Sequence, residues 1–108
     1  MANPRYARPF RLVYRAFDNF EFDPAKSDEI LERRGFDLMY ARRVFPAYVL
    51  EREDTRQGYT ERRFQLIGEV LGNVLIIVYT PRDGACRLIT AWRAGGSELE
   101  LWHDHFTR

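Results

Sequence analysis

Arginines stand at the ends of the most apolar stretch of this chain, between residues 63 and 94. Arg63 precedes one apolar run, and Arg82 follows the next. Arg87 and Arg93 lie in a third run. Guanidinium is planar and permanently charged, and it donates two parallel hydrogen bonds to phosphate or carboxylate. A small sheet that holds these groups in fixed directions would therefore suit a polyphosphate.

The spacing of Arg87 and Arg93 limits what they could bind together. They have the same parity on a predicted strand, so without a bulge they point to one face, about 20 Å apart at ~3.3 Å per residue. One phosphate cannot engage both side chains, which would instead hold different parts of a larger ligand. Arg63 and Arg82, at neighbouring strand ends, would join one of them through cross-strand proximity.

The preference for arginine has more than one explanation. Every basic residue except Lys26 is arginine, although the net charge is only +1. A GC-rich genome favours arginine codons, and composition alone does not separate codon usage from phosphate binding. The arginines could also form surface ion pairs, which contribute little to stability. The candidate carboxylates are Glu51, Asp54, Glu61 and Glu69.

Three strands and two tight turns are expected to position these arginines. Gly72-Asn73 places glycine first in a two-residue turn, the type II′ preference, and Asp83-Gly84 predicts a type I′ turn. The strands form an antiparallel meander over residues 63–71, 74–82 and 85–94, with the most apolar strand in the centre. Shorter strands are candidates at residues 10–17, 20–22 and 47–51, and residues 52–60 are typical of a loop or irregular hairpin.

Helices are predicted before and after this meander in the sequence. Asp23-Pro24 starts a helix over 25–34 that Gly35 ends, and Asp37 caps a second helix that Pro46 closes. Ser97 and Glu100 form a capping box for a last helix over 98–106. The fold class is therefore α+β, with two N-terminal helices, a three- to four-stranded antiparallel meander sheet and a C-terminal helix.

Length and composition predict a single domain. The 108 residues are 45% hydrophobic, enough for one core, and residues 1–17 form a basic N-terminal extension to a domain over 18–108. This extension carries Arg5, Arg8, Arg11 and Arg15 without an acidic residue. Cys86 is the only cysteine, so no intrachain disulfide is possible. The longest apolar run, residues 74–79, is too short to cross a bilayer, and a cytoplasmic location is expected.

A set of weak motifs, in a fairly specific order and spacing, gives the chain a family resemblance. The motifs are FEFDPAK at 20–26, Gly35, ARRVF at 41–45, RFQLIG at 63–68, VYTPR at 78–82 and RLITAWRA at 87–94. The chain thereby resembles the BrnT family of bacterial toxins, small ribonucleases with a RelE-like fold. The resemblance implies RNA cleavage without a metal or other cofactor, through attack of the ribose 2′-hydroxyl on its neighbouring phosphate. It also implies a BrnA-like ribbon-helix-helix antitoxin, which alone would contact the operon DNA.

The resemblance also supplies candidate site residues. Lys26 would donate a proton or contact phosphate, and Glu98 would act as a base or hold an arginine in position. The arginines would stabilise the charge that develops on the phosphate oxygens. The candidate catalytic residues are Lys26, Arg63, Arg82, Arg93 and Glu98. The candidate RNA- or antitoxin-binding residues are Arg87, Phe22, Tyr79 and Trp92, although a tyrosine in a central strand more often belongs to the core.

Departures from the family pattern keep a second interpretation open. Where the family usually has tryptophan, asparagine, histidine, arginine and a basic residue, this chain has Phe22, Ile30, Arg34, Trp92 and Leu99. The alternative is a catalytically weakened module that only binds a partner protein or RNA. A metal site at His103-Asp104-His105 is disfavoured, because residues two apart on a helix point in different directions.

Overall fold

A computed structural model describes residues 9–55, 58 and 60–106 of the chain. The described residues form an α+β fold with three α-helices and one six-stranded mixed sheet. Arg5 and Arg8 of the predicted basic extension lie outside the described residues, as do residues 56, 57 and 59 of the predicted loop. The strands are β1 (Arg11–Arg15), β2 (Asn19–Glu21), β3 (Ala47–Asp54), β4 (Arg63–Val70), β5 (Asn73–Arg82) and β6 (Ala85–Arg93). The helices are α1 (Pro24–Arg34), α2 (Leu38–Ala41) and α3 (Gly96–Phe106).

The sheet is larger than the predicted meander. Its strand order is β1-β3-β4-β5-β6-β2, so the meander β4-β5-β6 is extended on both sides. β1 pairs antiparallel with β3, and β2 pairs parallel with β6. The prediction of a purely antiparallel, three- to four-stranded sheet was therefore wrong in strand number and in one pairing. The second half of the basic extension, Arg11–Arg15, is an edge strand of this sheet.

Local signals set both ends of α1. The Asp23 side chain accepts a hydrogen bond from the Ala25 amide at 3.0 Å, and Pro24 occupies the first turn. Gly35 ends the helix with φ 82°, a left-handed conformation that favours glycine. The second helix is shorter than predicted, because α2 passes into a 3₁₀ turn at Arg42–Val44 before Pro46.

The two faces of the sheet are covered by different helices. We call the face packed against α1 and α2 the α1 face, and the opposite face the α3 face. Ile30 and Leu38 pack with sheet residues such as Leu66, Ile77 and Leu88 in a buried cluster on the α1 face. A second buried cluster on the α3 face consists of Leu50, Ile67, Val74, Ile76 and Trp102. The indole N–H of Trp102 also donates to Glu69 Oε1 at 3.1 Å, which anchors α3 to β4.

The first hairpin turn lies one residue earlier than predicted. Leu71 and Gly72 both have positive φ, 49° and 86°, and Asn73 pairs with Val70. This register keeps Val70 and Val74 buried, and a shift by one residue would move the β5 side chains to the other face. At the second turn the prediction is confirmed, since Asp83 and Gly84 have φ 51° and 82°.

A close approach between β4 and the 3₁₀ turn makes Gly68 a sensitive position. A Cβ atom on Gly68 would lie 2.4 Å from Cγ1 of Val44, a buried side chain. We expect Gly68→Ala to lower the free energy of unfolding by about 1–3 kcal/mol, because the extra methyl overpacks the core. Chemical denaturation of the two proteins measures this difference.

The control for Gly68→Ala is the pair of variants Val44→Ala and Gly68→Ala/Val44→Ala. Truncating Val44 makes room for the new methyl group, so the double variant should be more stable than the sum of the single losses. Strict additivity would contradict a direct clash between these two positions.

Among the helices that the structure describes, none is long and apolar enough to cross a membrane.

Candidate functional site

A break in the pairing of β5 with β6 separates the two arginines of the third strand. The register passes from Tyr79 opposite Leu88 to Val78 opposite Thr90, so Ile89 is an extra residue in β6. Such a bulge reverses the alternation of side chains beyond it. Arg87 therefore lies on the α3 face, opposite Thr80, and Arg93 lies on the α1 face, opposite Leu75. The expectation that Arg87 and Arg93 share one face was wrong, because it required an unbroken strand.

Arg63 and Arg87 belong to one row of side chains across the α3 face. Arg63 is opposite Asp54 in the pairing of β3 with β4. In the pairing of β4 with β5, Phe64 is opposite Tyr79, so Arg63, the residue before Phe64, lies beside Thr80. Thr80 is the β5 partner of Arg87. Because Arg63 and Arg87 are two strands apart, their Cα atoms are about 10 Å apart. Arginine side chains on β4 and β6 are long enough to reach one ligand across that distance.

Thr80, between these arginines, is fixed and buried. It is 2% exposed, and its hydroxyl donates to the carbonyl oxygen of Arg62 at 2.8 Å. Arg82 follows on the same face of β5 at the strand end, where Arg82 is opposite Ala85. The predicted proximity of Arg63 and Arg82 to one of the β6 arginines is thus found for Arg87.

Next to this row, a cavity of about 340 Å³ opens on the α3 face. Trp92 of β6 and Glu98 of α3 line it together with Arg52 of β3. The Arg52 Nε–H donates to Gln65 Oε1 at 3.1 Å, and its guanidinium carbon lies 4.1 Å from the ring centroid of Phe10. The complete lining is Phe10, Arg52, Gln65, Ile76, Trp92 and Glu98.

Three of the cavity residues were missed by the sequence analysis. Phe10 lay in a strand candidate and Gln65 in the RFQLIG motif, but neither was named as a site residue, and Arg52 was assigned to a loop. In the structure β3 continues to Asp54, so Arg52 is a strand residue that pairs with Gln65. The last four residues of β3, residues 51–54, are all charged, so no alternation of apolar and polar residues in the sequence extends the strand to Arg52.

Carboxylates lie near the arginines of the α3 face, as the ion-pair interpretation requires. Glu21 Oε1 is 4.0 Å from Arg82 and 3.9 Å from Arg87, and Glu61 Oε1 is 3.7 Å from Arg63. Of the predicted partners, Glu61 is confirmed, and Glu21 takes the place of the others for Arg82 and Arg87. These pairs are loose and partly exposed, so a phosphate could displace the carboxylates at little cost.

The remaining site candidates lie on the side of the α1 face. Lys26 Nζ is 3.8 Å from Glu29 Oε1 on the surface of α1. The guanidinium carbon of Arg93 lies 5.4 Å from the ring centroid of Phe36. Phe22 packs against the buried cluster of this face. The structure therefore does not bring Lys26 and Arg93 together with Arg63, Arg82 and Arg87.

Tyr79 is held in the core by a buried carboxylate. It is 1% exposed, and its hydroxyl donates to Glu51 Oε1. Arg15 binds the same carboxylate with two hydrogen bonds, at 3.0 Å and 2.5 Å. Burial, with a further contribution from Glu51, raises the pKa of Tyr79 well above its ordinary value. The hydroxyl is thus a neutral donor inside the protein, which removes Tyr79 from the surface that could meet RNA or a partner.

The α3 face has the chemistry of a nucleotide-binding surface. It combines guanidinium groups on several strands with an indole and a carboxylate at a cavity. Guanidiniums bind phosphate, and aromatic rings stack on unpaired bases.

Burial raises the pKa of the Cys86 thiol to about 12, so this cysteine is a protonated core residue and not a nucleophile.

A comparison with protein families gives one match that covers more than half of the chain. The family model described as "Ribonuclease toxin, BrnT, of type II toxin-antitoxin system" matches residues 22–98. This range includes α1, the meander, the β6 bulge and Glu98. A comparison with curated proteins gives no match.

Proposed function

Because the chain belongs to the BrnT family of ribonuclease toxins from type II toxin–antitoxin systems, we propose that it is a cytoplasmic endoribonuclease of the RelE-like type, whose active surface is the α3 face. The observation that carries this proposal is the row of Arg63, Thr80 and Arg87 beside the cavity lined by Trp92 and Glu98. The reaction is attack of a ribose 2′-hydroxyl on the adjacent phosphate, which yields a 2′,3′-cyclic phosphate and a free 5′-hydroxyl.

Arg63 and Arg87 are proposed to bind the scissile phosphate from β4 and β6, the two strands that flank β5. As the phosphorus becomes five-coordinate, its oxygens gain negative charge, and fixed guanidiniums stabilise that charge more than the ground state. Thr80 lies between them on β5, and the hydrogen bond from its buried hydroxyl to the Arg62 carbonyl holds β5 against the start of β4. Arg82, more exposed at the strand end, would contact a neighbouring phosphate. No metal ion is needed for this part of the charge stabilisation.

Trp92 and Arg52 are proposed to hold the base next to that phosphate. A single base fits the cavity of about 340 Å³, since small-molecule pockets begin near this volume. Stacking on an indole contributes about 1–3 kcal/mol for each base and tolerates different sequences. The amide of Gln65, which accepts from Arg52, keeps the guanidinium at the wall of the cavity.

Glu98 is proposed to accept the proton of the attacking hydroxyl. The arginines are poorly suited to this role, because their pKa lies above about 12. Glu98 supplies a carboxylate to the lining of the cavity, and it lies in the first turn of α3, where Ser97 donates to its Oε2 at 3.1 Å. A carboxylate within reach of the nucleotide is a general base of the usual kind.

The family also implies a protein partner. We propose a BrnA-like antitoxin with a ribbon-helix-helix domain, through which alone the pair would contact the operon DNA. Without this antitoxin, the toxin would cut cellular RNA and arrest growth.

The test uses three oligonucleotides of one sequence: all-ribose, all-2′-deoxy and 2′-O-methyl. We expect the purified chain, at micromolar concentration and in excess EDTA, to cut only the ribose strand and to leave cyclic phosphate ends. The products are identified by gel electrophoresis and mass spectrometry.

Each other outcome removes a defined part of the proposal. Cutting of the deoxy strand would exclude 2′-hydroxyl attack, and loss of cutting in EDTA would exclude a metal-independent reaction. An intact ribose strand that still binds the folded protein would favour the catalytically weakened binding module.

A further inference from the structure

A second arginine-rich surface lies at the other end of β6, around Arg93. Two cavities of about 360 Å³ and 280 Å³ meet there, and both are lined by Asn73 and Arg93. The first also has Leu31, Phe36 and Tyr40 in its wall. We call the surface formed by Leu31, Phe36, Tyr40, Asn73 and Arg93 the Arg93 groove. The groove and the larger cavity lie on the α1 face, whereas the smaller cavity continues past Arg93 to Val74 and Leu99 of the α3 face. The bulge in β6 separates the groove from the row of Arg63 and Arg87.

Two adjacent rings lie between two guanidiniums along this groove. The guanidinium carbon of Arg93 is 5.4 Å from the ring centroid of Phe36, and that of Arg43 is 5.7 Å from the ring centroid of Tyr40. The two rings are 6.0 Å apart between centroids. The Tyr40 hydroxyl is fixed, because it accepts from Asn73 Nδ2 at 2.9 Å and donates to the Val70 carbonyl at 3.3 Å. The rings thus hold both cations in place without neutralising them.

These cations differ from most of the other described arginines in their partners. Arg42 Nε donates to the sulfur of Met39 at 2.8 Å, whereas Arg43 and Arg93 lie on aromatic rings. Across residues 9–55, 58 and 60–106, no carboxylate lies within ion-pair distance of the side chains of Arg42, Arg43 and Arg93. The ion pairs in that part of the chain engage Arg15, Lys26, Arg33, Arg62, Arg63, Arg82 and Arg87. The carboxylate of the groove itself, Asp37, accepts from the Tyr40 amide at 2.8 Å as a helix cap.

Apolar side chains border the same surface. Leu31 of α1 is 48% exposed and Met39 of α2 is 49% exposed. Leu71, at the tip of the β4–β5 hairpin beside Asn73, is 78% exposed. Apolar groups around unneutralised cations are complementary to a protein segment that carries both leucine-like and acidic side chains. RNA offers phosphates to the arginines, but its sugar–phosphate backbone would bury less of the two leucines and the methionine than a protein helix would.

We propose that the Arg93 groove is a docking site for an acidic amphipathic helix of the antitoxin, an inference that rests on the proposed toxin function. Its carboxylates bind Arg43 and Arg93, and its apolar side chains enter the larger cavity, next to Leu31. Since the groove and the RNA-cleaving surface lie on opposite faces of the sheet, antitoxin affinity and RNA cleavage depend on different arginines.

The experiment titrates the full-length toxin with the purified antitoxin encoded in its operon. The double variant Arg43→Gln/Arg93→Gln is expected to bind at least about tenfold more weakly, because hydrogen bonds to charged groups are lost. The control Arg33→Gln, whose side chain is on the solvent side of α1 near Glu29, should stay within about twofold of the wild type. Circular dichroism confirms that the variants are folded, and the same preparations are assayed for RNA binding and cleavage.

The results separate this inference from the proposed function. If the folded double variant binds the antitoxin as tightly as the wild type does, the docking site is overturned. If that variant instead binds RNA more weakly, the groove is assigned to RNA. If the wild type binds antitoxin through the groove but cuts no RNA, the nuclease proposal fails and the docking site stands. An equal loss of antitoxin affinity in Arg87→Gln would overturn the separation of the two faces.

Discussion

Arg87→Ala is expected to lower the rate of RNA cleavage by about 10²–10³-fold, because a fixed donor to the reacting phosphate is lost. Arg63→Ala should have an effect of similar size from the other side of Thr80. Both arginines are partly exposed at the sheet surface, so neither truncation should unfold the domain. Single-turnover cleavage of a ribose oligonucleotide measures the chemical step, and thermal melting checks the fold.

The matched control for this prediction is Arg33→Ala, which removes the same charge from an exposed position on α1. Its cleavage rate should match that of the wild type. Arg93→Ala tests the assignment of faces, since the family resemblance made Arg93 catalytic, whereas the bulge turns it to the α1 face. If Arg93→Ala lowered the cleavage rate as much as Arg87→Ala does, the active surface would not be the α3 face.

The features that were predictable from sequence are those set by neighbouring residues. Asp23 and Pro24 act on the first turn of α1, Gly35 acts on its last turn, and Asp83-Gly84 acts on one hairpin. Each signal therefore involves only a few neighbouring residues. The continuous apolar run of β5, residues 74–79, likewise indicates a central strand. These local choices agree with the tertiary fold, as expected for a minimally frustrated sequence.

The features that were missed depend on contacts between distant segments. β1 and β2 had been strand candidates, but their places in the sheet were not predicted, because these depend on the hydrogen-bonding edges of β3 and β6. The bulge at Ile89 has no glycine to signal it, and it reverses the faces of all later side chains in β6. As a result, sequence reasoning identified the arginines that face solvent but not which of them share a surface.

The second large expected effect concerns stability. Arg15→Ala should lower the free energy of unfolding by about 3 kcal/mol, because it leaves the Glu51 carboxylate buried without its cation. Glu51 is 2% exposed, and Arg15 binds both of its oxygens. The same hydrogen bonds raise the pKa of Arg15 above its ordinary value. We place the loss at the lower end of the range for broken buried pairs, since the Arg15 side chain is 33% exposed and water can partly replace it.

A second substitution separates the loss of charge pairing from the loss of packing. In Arg15→Ala/Glu51→Gln the buried group is neutral, and its amide oxygen still accepts from the Tyr79 hydroxyl, so this double variant should be more stable than Arg15→Ala. Arg62→Ala breaks an exposed pair with Glu53 and should lower the free energy of unfolding by much less than Arg15→Ala does. Urea denaturation of all four proteins gives the comparison. Equal stability of Arg15→Ala and Arg62→Ala would mean that Glu51 does not need Arg15, and that β1 is held to the sheet by its backbone pairing with β3.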